Sequence, residues 1–153
     1  MFLSETLVEA RIRRYLIKKG WRTSNLPRMV GAHGADIRAW HPRWRKICII
    51  EVKGKTKRHP IQALHNSFWT ILGQILSRMD IQGNHPNRPR RYAIGIPKTW
   101  EKTFKNKIQK MKFAWTLFKL RVFLVDEKGK VEEKPYSYFL KWWEEGFTAE
   151  SIY

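Results

Sequence analysis

One cysteine, Cys48, stands in the 153 residues, so no internal disulfide can form, and the expected setting is one that keeps thiols reduced, a cytoplasm or, for a viral protein, a host cytoplasm. Long apolar runs are also missing. The stretch Ile47-Cys48-Ile49-Ile50 stops at Glu51, far short of the ~20 residues that span a bilayer. Met1 to Leu3 passes at once to Ser4 and Glu5, which is no secretory signal, and the expectation is a soluble protein without a membrane partner. No repeat, low-complexity stretch or linker divides the chain, so a single domain over 1–153 is expected. Acids are scarce, 13 against 31 lysines and arginines, for a net charge of +18.

That charge is unevenly placed. Residues 1–110 hold 24 basic and 6 acidic side chains, whereas residues 111–153 hold 7 of each. Solubility needs a net charge of only ~2–8 in a small domain. A one-sided field of this size suits a polyanion, because each Lys or Arg set on a phosphate releases a condensed counterion. Nucleic acid is the first expectation, ahead of an anionic membrane surface.

With 42% hydrophobic residues the chain can bury a core, and its patterning places the elements. Ser4 caps a helix over 4–19 with Val8, Ile12 and Leu16 on one stripe and Gly20 at its end. Trp21 to Leu26 reads as extended, followed by a loop with Gly31 and Gly34. Asp36 to Trp40 reads as a strand, His41 to Arg43 as a turn, and Lys46 to Lys53 as a strand buried on both faces. A second helix spans 61–79, with Leu64, Phe68, Leu72, Ile75 and Met79 aligned, and Gly83 to Pro89 is loop. Strands at Tyr92–Ile96 and Arg121–Val125 flank a third helix over Trp100–Phe118, and Tyr138 to Glu145 forms a last short helix before Gly146. Helices alternating with buried strands predict an α/β fold, a mixed central sheet with helices on both faces.

The chemistry gathers at Asp36 and the tripeptide Glu51-Val52-Lys53. Strand alternation sets Glu51 and Lys53 on the face of Ile47 and Ile49. Two carboxylates and a lysine at the end of buried strands are costly unless paired or bound to a cation. Hard oxygen ligands suit magnesium, which takes one or two carboxylates and keeps several waters. Such an ion polarises a phosphoryl oxygen and lowers the pKa of bound water. The basic body holds only Glu5, Glu9, Asp36, Glu51, Asp80 and Glu101 as acids, and Glu5 and Glu9 stand one helical turn apart beside the first helix's buried stripe. The bland counterpart is a structural Glu51–Lys53 ion pair with Asp36 capping a turn.

The order of a glutamate-bearing helix, Gly34-Ala35-Asp36 and, fifteen residues on, Glu51-Val52-Lys53 resembles the PD-(D/E)xK nucleases, the superfamily with the restriction-endonuclease-like fold. The N-terminal half is similar to the archaeal Holliday-junction resolvases, whose helix carries a glutamate eleven residues before a glycine-aromatic pair, as Glu9 precedes Gly20-Trp21. Small virus-type nuclease modules place the glutamate nearer the helix start, where Glu5 stands. Leu72-Gly73-Gln74-Ile75-Leu76 resembles the superfamily helix that keeps a glutamine near the site, with Gln74 matching and Gln62 an alternative. Ala35 stands where the superfamily name has proline. The resemblance covers residues 5–97, and the C-terminal extension over 98–153 matches nothing named.

The resemblance implies a magnesium-dependent DNA endonuclease, with manganese as a substitute ion, hydrolysing phosphodiesters to leave 5′-phosphates. Asp36, Glu51 and the Val52 carbonyl would ligate the metal, Glu9 or Glu5 would complete the site, and Lys53 would position or activate water. It further implies a structure-selective action on junction or branched DNA and, since both strands need cutting, a homodimer. The alternatives are a basic nucleic-acid-binding module that does not cleave, and a nuclease subunit of a larger restriction or transposition assembly.

Two basic stretches read as phosphate contacts flanking the site: Arg43, Arg45 and Lys46 before the strand, and Lys55, Lys57 and Arg58 after it. His33, His59 and His65 fit no zinc spacing and read as surface residues. Lys102, Lys105, Lys107, Lys110 and Lys112 lie mostly off their helix's apolar stripe, as a solvated face or a track for a DNA backbone. Of Trp142 and Trp143, adjacent on a helix, only one can point fully inward.

Overall fold

A computed structural model describes residues 1–23, 36–82 and 90–140, excepting the side chains of 80–82. The elements in chain order are α1 (Glu5–Lys18), β1 (Arg22–Thr23), β2 (Ile37–His41), β3 (Lys46–Val52), α2 (Pro60–Gln82) and β4 (Arg90–Pro97). A 3-10 turn at Lys98–Trp100 leads into α3 (Glu101–Gln109), followed by α4 (Lys112–Phe118), β5 (Arg121–Val125), β6 (Val131–Lys134) and α5 (Tyr136–Leu140). The described strands form one mixed sheet in the order β1-β2-β3-β4-β5-β6. β1, β2 and β3 run as an antiparallel meander, β3, β4 and β5 are mutually parallel, and β6 returns antiparallel.

The sheet is covered on both faces. One core joins Val8, Ile12 and Leu16 of α1 to Cys48, Ile50 and Val52 of β3 and to Phe123 of β5. The other joins Phe68, Ile71 and Ile75 of α2 to Ile47 and Ile49 of β3 and to Ile94 of β4, and continues under α3, α4 and α5. β3 therefore feeds alternate side chains into two cores, which is why its sequence is apolar throughout. Ser4 caps α1 by accepting a hydrogen bond from the Leu7 amide. Gly95 in β4 makes room for α1: a Cβ there would collide with Cδ1 of Ile12. No helix among the described residues is long and apolar enough to cross a membrane.

Several elements differ from the sequence expectation. β2 runs on through His41, whose buried ring receives the Trp44 amide and stacks against the Trp44 indole at 3.9 Å. The expected helix over 100–118 is two helices, broken at Lys110 and Met111. Neither proline nor glycine marks the break. It is set by tertiary ties, since Gln109 donates to the Phe139 carbonyl and the Trp115 indole N–H to the Tyr136 carbonyl, each half holding one end of α5. β6 was not expected: Val-Glu-Glu-Lys has no apolar alternation, as suits an edge strand. The expectations at Leu26, Gly31, His33, Gly34, 83–89, Trp142, Trp143 and Gly146 lie outside the described residues.

Candidate functional site

The site lies where β3 ends. Ile37 pairs with Ile50, so extending the antiparallel register by one residue sets Asp36 beside Glu51. Both acids are buried, Asp36 at 5% exposure and Glu51 at 1%, which their chemistry forbids unless each is answered by donors. Oδ2 of Asp36 accepts the Val52 amide at 2.7 Å, bridging the two strands through a side chain. Glu51 faces α2 with Ile47 and Ile49, and there Nε of Arg78 donates to its Oε1 at 2.9 Å. One helical turn before Arg78, Gln74 holds its amide oxygen buried with no hydrogen-bond partner among the described residues.

Lys53 falls just beyond the strand and its amide donates to the Gly95 carbonyl. Alternation thus ceases to govern it, and Nζ lies 4.0 Å from Oε2 of Glu5 at the start of α1. The expected shared face of Glu51 and Lys53 is therefore modified: the acid meets α2 and the lysine meets α1. Gly54 explains the approach, because a Cβ there would strike the backbone of Ser4 and Glu5, and the Lys55 amide donates to the Leu3 carbonyl at 2.8 Å. Glu9 makes a different connection. Arg13 joins its Oε1 at 3.0 Å and donates to the Asp36 carbonyl oxygen at 2.7 Å, tying α1 to the start of β2.

Asp36, Glu51, Lys53, Glu5 and Glu9 thus lie around one end of β3, with Arg13 and Arg78 lodged among the acids and Gln74 one helical turn from Arg78. Neither arginine belongs to the motif residues read from the sequence. Their signal was spacing, since Arg13 follows Glu9 and Arg78 follows Gln74 by one helical turn. Among the described residues no group of three or more His, Cys, Asp or Glu is close enough to hold a metal ion. The donor chemistry at the strand end is two carboxylates, hard oxygens of the sort magnesium accepts when substrate phosphates and water supply the rest.

The basic residues divide. Lys55, Lys57 and Arg58 leave the site end, with Lys55 3.9 Å from Glu127 and Lys57 over the Phe2 ring. Arg43, Arg45 and Lys46 do not flank it. Lys46 opens β3 and Arg43 and Arg45 stand in the turn before it, and a strand rise of ~3.3 Å per residue puts Lys46 ~17 Å from Glu51 along β3. Lys105 is no part of a solvated face: it is buried, 3.5 Å from Glu101 and 4.1 Å from the centre of the Tyr138 ring. Cys48 is enclosed by the sheet and α1, and burial pushes its thiol up to about 12, so it is no nucleophile at neutral pH.

No protein-family model matches the chain, and neither does any curated protein sequence. Among solved structures it is similar to an FdxN element excision controlling factor protein from Anabaena variabilis. The TM-score is 0.54 at 21% identity, over 83% of this chain and 96% of that one. The likeness concerns the mixed α/β fold.

Proposed function

We propose that this chain is a metal-dependent nuclease acting on DNA, with Asp36 and Glu51 as the metal-holding pair. The observation that carries the reading is two buried carboxylates set side by side across β2 and β3, with Lys53 two residues beyond, in a chain otherwise poor in acids. A mixed sheet covered by helices on both faces, with the glutamate-bearing α1 ahead of the Asp36 and Glu51 strands, is compatible with the restriction-endonuclease-like fold that the resemblance implies. The neighbour's name, which speaks of the excision of an element, is compatible with a DNA partner.

Asp36 and Glu51 would hold magnesium, with the Val52 carbonyl beside them and Glu9 or Glu5 completing the set. The bound ion supplies charge for the phosphoryl oxygen and acidity for water. Lys53, kept near Glu5, would orient the attacking water and offset negative charge that develops on the phosphate. Arg78 would have to yield Glu51 to the ion, or share it. That ion pair, with Arg13 held by Glu9, also favours a second reading: a basic DNA-binding module whose acids are structural.

The test is cleavage of a labelled four-way junction, a nicked duplex and a linear duplex in magnesium or manganese. Wild type should cut, and Asp36→Ala and Lys53→Ala should each lower the rate at least about a hundredfold. Tight binding with no cutting by wild type in either ion would establish the second reading instead. Sedimentation of the complex reads the expected dimer.

A further inference from the structure

A cavity of about 350 Å³ opens at the opposite end of the parallel strands, where β4 and β5 begin. It is lined by four cations, Arg90, Arg91, Lys119 and Arg121, with no acid among its lining residues. Tyr92, Phe118 and Tyr136 supply aromatic walls. Arg121 is partly committed, its Nε donating to Glu133 at 2.7 Å. Arg91 and Lys119 have no carboxylate partner among the described residues. The size is at the low end of the ~300–1,000 Å³ usual for small-ligand pockets, too small for a duplex.

Two details make this more than a basic surface. Tyr92 is 9% exposed, yet its hydroxyl is buried with no hydrogen-bond partner among the described residues, an unspent donor beside the cations. Lys119 sits at φ +50° and ψ +39°, the left-handed cap of α4 where glycine or asparagine is the cheaper residue. The position carries a charge at a conformational cost.

We propose that this cavity binds a nucleoside phosphate, with Arg91 and Lys119 on the phosphate, Tyr92 donating to it, and an aromatic wall against the base. The ligand is either a free nucleotide or the 5′-phosphorylated end of a DNA single strand, since both present the same group. Cation density and flat walls are what this ligand needs together. The site is separate from the carboxylates: Arg90 pairs with Ile47, four residues before Glu51, or ~13 Å along the strand. It stands whether or not the chain cleaves DNA.

The experiment uses the full chain in EDTA, so that no metal-dependent cutting intervenes. Fluorescence anisotropy compares a 3′-labelled ten-nucleotide single strand with and without a 5′-phosphate at 0.15 M salt. The phosphorylated strand should bind at least tenfold tighter. Arg91→Gln with Lys119→Gly should remove that increment and leave the unphosphorylated strand within about threefold. Lys119→Gly relieves the left-handed strain, and circular dichroism should find the variant folded. Should the pair unfold, Tyr92→Phe alone should cut the increment at least threefold. Arg43→Gln with Arg45→Gln removes equal charge elsewhere and should weaken both strands alike while preserving the increment. Competition by dAMP would identify the free nucleotide as ligand, and its failure would identify the strand end. Equal binding of the two strands, an increment that survives the cavity variants, or an equal loss in the Arg43 and Arg45 control would each overturn the proposal.

Discussion

The two ends of the central strands keep their charges in different company. Where β3 stops, acids and cations interlock: Glu51 with Arg78, Glu9 with Arg13, Glu5 near Lys53, and Glu132 with Lys98 on the neighbouring edge. Where β4 begins, Arg43, Arg45, Lys46, Arg91 and Lys119 have no acid partner among the described residues. A net charge of +18 is therefore no uniform coat. One end is locally balanced, and there only a changed partner, such as a metal ion, rearranges the network. The other end is unbalanced and attracts anions whatever their sequence.

The largest expected effect separates chemistry from architecture at the balanced end. Asp36→Asn keeps an oxygen for the Val52 amide, so it should lose at least about a hundredfold in cleavage with little change in urea midpoint. Asp36→Ala should lose the same activity and in addition about 1–3 kcal/mol of stability, because the buried Val52 donor is orphaned. Equal stability of the two variants would show that the carboxylate does no structural work.

Gly54→Ala follows, at about 1–3 kcal/mol by denaturation, since its methyl would push β3 away from the start of α1. Its cleavage should fall too, because Lys53 would lose its place near Glu5. At the unbalanced end, Arg43→Gln with Arg45→Gln should leave stability unchanged and reduce the slope of log K against log salt for duplex binding by about 0.9 per lost phosphate contact.

The smallest effect is the Lys98–Glu132 pair, joined at 2.7 Å and largely in solvent, worth under about 1 kcal/mol. The hydrogen bond from Lys98 holds the Glu132 carboxyl below its ordinary value, and the same bond raises the Lys98 amine. The acid's share is present above the ordinary carboxylate pKa near 4.5 and is lost as pH falls through its lowered folded value. The lysine's share is fully present below 10.5 and is lost as pH rises through its raised folded value. Glu132→Gln should therefore lower the urea midpoint slightly between those limits, and the difference should vanish in strong acid and strong base.

How much of this was legible in the sequence depends on whether a residue's neighbours are near in the chain. Val8, Ile12 and Leu16 announce their buried stripe by spacing, and Ile47 to Ile50 announce a doubly buried strand, because those patterns are local. Glu51 and Asp36 stand out because acids are rare in this chain and costly at the end of an apolar strand. The partner of Glu51 could not be read, since Arg78 reaches it from 27 residues away. Lys105 looked like one more lysine of a basic helix, and only the fold reveals Tyr138 beneath it. The cavity at Tyr92 leaves no local pattern, as its lining comes from separate stretches of chain that the sheet alone brings together.

The close passage of Gly54 against Ser4 and Glu5 also has a kinetic side. It joins segments about fifty positions apart, a contact whose loop-closure entropy is met before any local reward arrives. β3 and α2 can gather their apolar surfaces by nearer pairings, but Lys53 acquires its neighbour only after the chain's opening helix has docked. The region proposed to carry the chemistry should thus be among the last to consolidate during refolding. Amide protons of Lys53 and Lys55, which donate to Gly95 and Leu3, should gain protection later than those of Cys48 and Ile50.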